Sequence, residues 1–216
     1  IALSNSSVDE NTAGAVVGSL STTDVDAGDS HTYAVDDARF EVVGGELKLK
    51  DGVSLDHETE SSVAVEVTTT DASGATYSET FTIAVGDVNE GPSDIALSNT
   101  SVDENSAGAV VGSLSTTDVD AGDSHTYAVD DARFEVVGGD LKLKDGVSLD
   151  HESESSVAVE VTTTDASGAT YSETFTIAVG DVNEGPSDIS LSNASVDENA
   201  AGAVVGSLST RSEEHT

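Results

Sequence analysis

Cysteine, methionine and tryptophan are absent from the 216-residue chain. With no thiol there is no disulfide framework to read and no thiolate-ligated metal centre to expect. Cationic side chains are nearly as scarce: 7 Lys and Arg stand against 42 Asp and Glu, a formal net charge of −35. Such a balance argues against nucleic acid as a partner, because phosphate contacts depend on Lys and Arg. It equally disfavours docking on anionic lipid. No apolar run approaches the roughly 20 residues of a membrane span, so no direct membrane insertion is expected of this segment, and no signal peptide is visible. Neither Gly-x-Ser-x-Gly nor His-Glu-x-x-His occurs. Their absence argues against a hydrolase or zinc-protease centre and points to a non-enzymatic chain.

Repetition is the dominant positive signal. Ile1, Ile95 and Ile189 open three copies of one text with a period of 94 residues. The first two copies differ at only four places, Ser6/Thr100, Thr12/Ser106, Glu46/Asp140 and Thr59/Ser153. A tandem array suits a stalk, an adhesin or a binding array better than an active site. The period is close to the roughly 100 residues of one β-sandwich and too long for solenoid or propeller units. Residues 1–91 and 92–185 therefore read as two complete repeats, and 186–210 as the truncated start of a third. The third copy stops matching at Arg211, and Arg211 to Thr216 (RSEEHT) reads as a translated sequencing adaptor. With no initiator Met, the chain is expected to be a piece of a longer reading frame.

Within each repeat the pattern is that of an all-β fold. Val63, Val65 and Val67 alternate with polar neighbours, and Phe81 to Val85 repeats the alternation, as half-buried strands do. Shorter strands are expected at Val16–Leu20, His31–Val35, Phe40–Val43 and Glu46–Lys50, separated by turn signals at Gly44-Gly45, Asp51-Gly52 and Asp71 to Gly74. About seven short strands imply an immunoglobulin-like, Greek-key β-sandwich. The only aromatics of the first repeat are Tyr33, Phe40, Tyr77 and Phe81. Its core must therefore be light and made mainly of Val, Leu and Ile, in need of support from neighbours or metal. The sequons at Asn5, Asn99 and Asn193 read as side-chain-capped turns rather than glycan acceptors.

Each repeat carries 19 acids against 3 bases, a net of −16. Solvated carboxylates on a salt-adapted surface account for many of them. Five acidic motifs are positioned differently, in loops at strand ends: Val8-Asp-Glu-Asn11, Asp24-Val-Asp-Ala-Gly28, Leu55-Asp-His-Glu58, Asp71-Ala-Ser-Gly74 and Asp87-Val-Asn-Glu-Gly-Pro92. Calcium takes 6 to 8 oxygens, largely carboxylate and carbonyl, and a chain rich in carboxylates without thiols suits it. An EF-hand loop is ruled out, because Asp24 is followed by Gly28 at the fifth position and Val35 at the twelfth. The Gly-Gly-x-Gly-x-Asp β-roll repeat is also absent.

In order and spacing the five motifs resemble the calcium motifs of cadherin repeats, especially the bacterial cadherin-like kind, over the whole 94-residue unit. The resemblance implies calcium ligands Glu10, Asp56 and Glu58 from the first repeat, Asn89 and Glu90 from the linker, and Asp118, Asp120 and Asp165 from the second. It also implies an upstream set of Asp24, Asp26 and Asp71 and a downstream set of Glu104, Asp150, Glu152, Asn183 and Glu184. The linker is one residue shorter than the eukaryotic pattern, with Glu90 where Asp is usual, and Asp87 reads as a turn or supporting residue. The implied function is a calcium-stiffened array on a large bacterial surface or secreted protein, placed outside the cell and mediating adhesion. Its partners would be calcium and a homophilic or heterophilic surface protein or glycan. The alternative is a passive calcium-rigidified spacer that presents an enzymatic or carbohydrate-binding module.

Overall fold

A computed structural model describes residues 1–26 and 28–211. Ala27 of the Asp24–Gly28 motif and residues 212–216 of the adaptor-like tail lie outside the described residues. The chain divides into two compact units, Ile1–Glu90 and Gly91–Thr216.

Among the described residues eight strands build the first unit: β1 (Ala2–Leu3), β2 (Ser7–Asp9), β3 (Val16–Ser21), β4 (Thr32–Val35), β5 (Phe40–Val43), β6 (Glu46–Leu49), β7 (Ser62–Thr70) and β8 (Thr76–Gly86). They form two four-stranded sheets in the orders β1-β3-β6-β5 and β2-β8-β7-β4. Pairing is antiparallel except for β2 with β8, which is parallel. The chain crosses between sheets at β1 to β2, β2 to β3, β3 to β4, β4 to β5 and β6 to β7, giving the expected Greek-key sandwich.

The alternation in the sequence explains the core. Val63, Val65 and Val67 of β7 point inward against Ile83 and Val85 of β8, while Ala64 and Glu66 face water. Leu47 and Leu49 of β6 and Phe40 of β5 close the sandwich from the other sheet. The β5–β6 hairpin turns on Gly44 and Gly45, whose φ values of 61° and 87° are both positive. That is the requirement of a type I′ turn, and glycine meets it without steric cost. A register shift in the β3–β6 ladder lies between Val16 and Gly18. A Cβ on Gly18 would stand 2.8 Å from the Asn5 backbone nitrogen, so only glycine permits this approach. Asn5 itself is held by its side chain: Nδ2 donates to the Ser7 and Val17 carbonyls, both at 2.8 Å. The carboxamide is thus a turn cap, as the sequence suggested.

The second unit repeats the plan with β9 (Asp94–Leu97), β10 (Ser101–Asp103), β11 (Val110–Thr117), β12 (Thr126–Val129), β13 (Phe134–Val137), β14 (Asp140–Leu143), β15 (Ser156–Thr164) and β16 (Thr170–Gly180). Its sheets run β13-β14-β11-β9 and β10-β16-β15-β12 around a core that includes Phe134, Leu141, Leu143, Val159 and Ile177. A two-stranded sheet, β17 (Asp188–Leu191) with β18 (Leu208–Arg211), follows. Every residue of these last two strands is exposed. Ile189 is 68% exposed where its counterpart Ile95 is 2%.

Two features were not anticipated. The strands β1 and β2 are only two and three residues long, too short for a period to register, and they belong to different sheets. The first edge of each unit is thereby shared between the two layers.

Candidate metal centre

Topology gathers the acidic loops at the two ends of each sandwich. β7 and β8 are antiparallel, so the loop before β7, which holds Asp56 to Glu58, lies at the same end as the residues after β8. β2 runs parallel to β8 and delivers Glu10 to that end as well. The loop between β7 and β8, with Asp71, lies at the opposite end beside the loop between β3 and β4, with Asp24.

Glu10 is the fixed point of the first end. It is 1% exposed, and Oε2 accepts from the His57 backbone N–H at 2.7 Å while Oε1 accepts from that of Val88 at 2.8 Å. These two donors, His57 first, hold its carboxyl below the usual range, so a buried acid stays charged. The turn that aims Glu10 inward ends on Asn11, which takes the left-handed conformation at φ 56° and donates through Nδ2 to Glu90. Asparagine is among the few non-glycine residues that accept this conformation readily. Carboxylate oxygens of Glu10, Asp56 and Glu58 lie within 4.8 Å of one another. Asp56 also caps its own loop by accepting from Thr59 N–H at 2.8 Å. Asn89 turns its Nδ2 onto the Glu90 carbonyl.

At the opposite end of the first unit, Asp24 and Asp71 come together with Asp29, their ligand oxygens again within 4.8 Å. Asp24 Oδ1 accepts from Asp26 N–H at 3.0 Å, and Oδ2 meets His31 Nε2 at 3.0 Å. Asp71 Oδ1 accepts from the Ser73 hydroxyl and the Ala75 N–H. Both carboxyls are lowered, Asp24 chiefly by the Asp26 N–H and Asp71 chiefly by the Ser73 hydroxyl.

The second unit has the same two ends. Asp118 pairs with His125 Nε2 at 2.9 Å and accepts from Asp120 N–H at 3.2 Å. Asp165 is 6% exposed and accepts from Gly168 and Ala169 N–H at 2.7 and 2.8 Å. At the other end Glu104 is 1% exposed and accepts from His151 and Val182 N–H at 2.6 and 2.8 Å. Its carboxyl is lowered, chiefly by Val182. Glu104, Glu152 and Asp181 bring carboxylate oxygens within 4.8 Å of one another. Asp150 is lowered by the Ser153 hydroxyl, one of the four positions at which the copies differ. Asn183 donates to the Glu184 carbonyl at 3.0 Å, and Glu184 accepts from Asn105.

Glu152 shows what the cluster lacks. Its Oε1 is buried and has no hydrogen-bond donor. Burial, with repulsion from Glu104, Glu184 and Asp181, raises its carboxyl above the usual range, although its own backbone N–H pulls the other way. A buried carboxylate oxygen facing other carboxylates is stabilised by a cation, and an all-oxygen donor set suits a hard divalent ion. The residues present therefore fit calcium. Three acids beyond the sequence expectation join the clusters: Asp29, Asp181 and Asp87, the last within 4.8 Å of His57 and Glu58. The signal for Asp87 and Asp181 was topological, since each follows the final residue of a long strand that ends beside the Glu10 or Glu104 loop.

No family model and no curated protein matches the chain. Solved structures do match, and they define the fold as tandem β-sandwiches of the cadherin-repeat kind. Mouse cadherin-23 EC22–24 superposes with a TM-score of 0.73 at 19% identity, covering 100% of this chain and 76% of that one. Protocadherin gamma B2 extracellular cadherin domains 3–6 give 0.71 at 21%, covering 97% and 54%, and Drosophila N-cadherin EC1–4 gives 0.67 at 21%, covering 82% and 47%. The chain spans about half the length of the latter two. At these identities the likeness is one of fold, and the chain is a tandem array of cadherin-like repeats.

Proposed function

We propose that these repeats bind calcium through the loop carboxylates at their ends, and that calcium at successive joints stiffens an extracellular adhesive array. The ligands would be Glu10, Asp56, Glu58, Asn89 and Glu90, followed in the next repeat by Asp118, Asp120 and Asp165, with Asp24, Asp26 and Asp71 serving an upstream neighbour. Glu104, Asp150, Glu152, Asn183 and Glu184 would repeat the first set. The observation that carries the reading is Glu152, whose buried oxygen has no donor amid like charges. Supporting it, Glu10 and Glu104 are held charged by two backbone donors each.

The test is a calcium titration of the whole chain by calorimetry. Saturable binding at about 10⁻⁴ to 10⁻³ M or tighter is expected, weakened by Asp118→Asn with Asp120→Asn. Calcium binding that this pair of changes leaves untouched would remove the assignment. The near-identity of the two repeats also favours a second reading, a spacer whose length changes by recombination of identical units. Beads coated with the chain separate the two. Calcium-dependent aggregation supports adhesion through a surface protein or glycan, whereas inert beads support the spacer. Among the described residues no helix is long and apolar enough to cross a membrane.

A further inference from the structure

We propose that the cleft at the Asp24 and Asp71 end of the first repeat receives residues 185–191 of a second copy of this chain, so that copies join head to tail. The cleft has a volume of about 430 Å³, and Thr22, Thr23, Val25, Thr69, Ala75 and Tyr77 contribute to its walls. The second repeat, nearly identical in sequence, shows what such a cleft holds. There Gly91-Pro92-Ser93 lies along the end of β11. Pro92 is buried, the Ser93 N–H donates to the Thr117 carbonyl at 2.9 Å, and a Cβ on Gly91 would come within 3.1 Å of the Ala169 methyl. β9 then pairs with β11 over four residues, from Asp94 facing Thr117 to Leu97 facing Leu114. In the first repeat β1 pairs with β3 over two, Ala2 with Ser21 and Leu3 with Leu20. β3 ends at Ser21, two residues short of Thr23, the counterpart of Thr117. Tyr77 on the cleft wall is exposed where its counterpart Tyr171 is half-buried.

The chain carries a spare copy of the segment that fills the second cleft. Residues 185–189, Gly-Pro-Ser-Asp-Ile, repeat residues 91–95 letter for letter. Pro186 is exposed where Pro92 is buried, and Ile189 and Leu191 of β17 are exposed as well. In the register of the second repeat, Leu191 of one copy would face Leu20 of the next and Asp188 would face Thr23. Four residue pairs would replace the two of β1, and Ile1 to Leu3 would give way. Backbone hydrogen bonds to a sheet edge supply affinity in such an addition, and pockets for alternate side chains supply specificity. Here Pro186, Ile189 and Leu191 are the apolar groups that gain cover. Exchange of an element for an identical one is a low-cost route to association, and a head-to-tail contact that does not close extends into an open chain of copies.

Calcium binding is not a premise, so association is measured in chelator. Light scattering on the full chain is done in about 1 M sodium chloride, where a Debye length of about 3 Å screens the acidic copies from one another. The average mass should rise with protein concentration above the 21.8 kDa of one chain. Ile189→Asp with Leu191→Asp, both exposed and outside either core, should hold it at 21.8 kDa. The register is tested by crosslinking, since the chain has no cysteine of its own. Facing residues of antiparallel strands have Cα atoms about 4.5–5.5 Å apart, within reach of a disulfide. Thr23→Cys with Asp188→Cys should therefore give a ladder of multimers on mild oxidation, and Ser78→Cys with Asp188→Cys should not. Thr23, Ser78 and Asp188 are all exposed. A mass of 21.8 kDa at every concentration, association that survives the two aspartates, or equal crosslinking by the two cysteine pairs would each overturn the proposal. Should a variant fail to fold, a labelled peptide of residues 185–191 added to the unaltered chain decides, saturable binding supporting the proposal and its absence overturning it.

Discussion

Glu10 and Glu104 are carboxylates that the fold buries and then keeps charged, with one backbone N–H on each oxygen. A glutamine cannot replace them well. Its carboxamide has one acceptor oxygen, so one of the two N–H groups would face an NH₂ donor. Glu104→Gln should therefore lower the thermal midpoint and weaken calcium binding at that end by at least roughly tenfold, read by calorimetry and circular dichroism. Unchanged affinity would mean that Glu104 is a structural anchor and not a ligand. At this scale the sequence was informative about residue type and silent about environment. The Val-Asp-Glu-Asn text marked Glu10 and Glu104 as candidates, but their burial depends on β2 pairing with β8, some 77 residues away from Ser7 to Ala84. Likewise Asp87 is an ordinary turn acid by its neighbours, and only the end of β8 brings it against Glu58.

Among the elements, β7 and β8 were legible because alternating valines over nine and eleven residues leave little choice of face. The split first edge was not legible, because β1 and β2 hold five residues between them and their sheets are chosen by distant partners. Gly18 secures that edge. A methyl there would meet the Asn5 backbone nitrogen at 2.8 Å, its carbonyl oxygen at 3.0 Å and Ser4 Oγ at 2.9 Å, and backbone cannot yield cheaply. Gly18→Ala is expected to cost about 1–3 kcal/mol in urea unfolding, and a cost near zero would show that β1 shifts freely. The start of β5 is secured differently, by Arg39, which donates to Asp37 at 2.8 Å and also pairs with Glu60 ahead of β7. The Arg39 guanidinium holds the Asp37 carboxyl below its ordinary value. A depressed acid contributes stability above its unfolded pKa of about 3.9, and that contribution is lost as pH falls through the folded value. Asp37→Asn should thus flatten the acid side of the stability–pH curve and leave its slope above about pH 5 unaltered; an unchanged acid limb would mean that the ion pair is too exposed to matter.

For the whole molecule, the net charge of −35 poses a choice between two accounts of the acids. If they are only a solvated surface, any salt relieves their repulsion. Screening grows smoothly with ionic strength, the Debye length falling from about 10 Å at 0.1 M to about 3 Å at 1 M. If some of them are sites, calcium stabilises by mass action at concentrations too low to screen. At a hundred times its dissociation constant one site adds about 2.7 kcal/mol. For a domain of this size that is a rise of at least about 10 °C in thermal midpoint. Thermal unfolding should therefore be followed in chelator, in calcium, and in sodium chloride at matched ionic strength. A saturating rise in calcium that sodium does not reproduce is expected. It should be largest in the chain with every carboxylate intact and reduced in Glu104→Gln. Equal midpoints in the two salts would assign the 19 acids of each repeat to solvation alone, and the cadherin-like fold would then stand here without its ions.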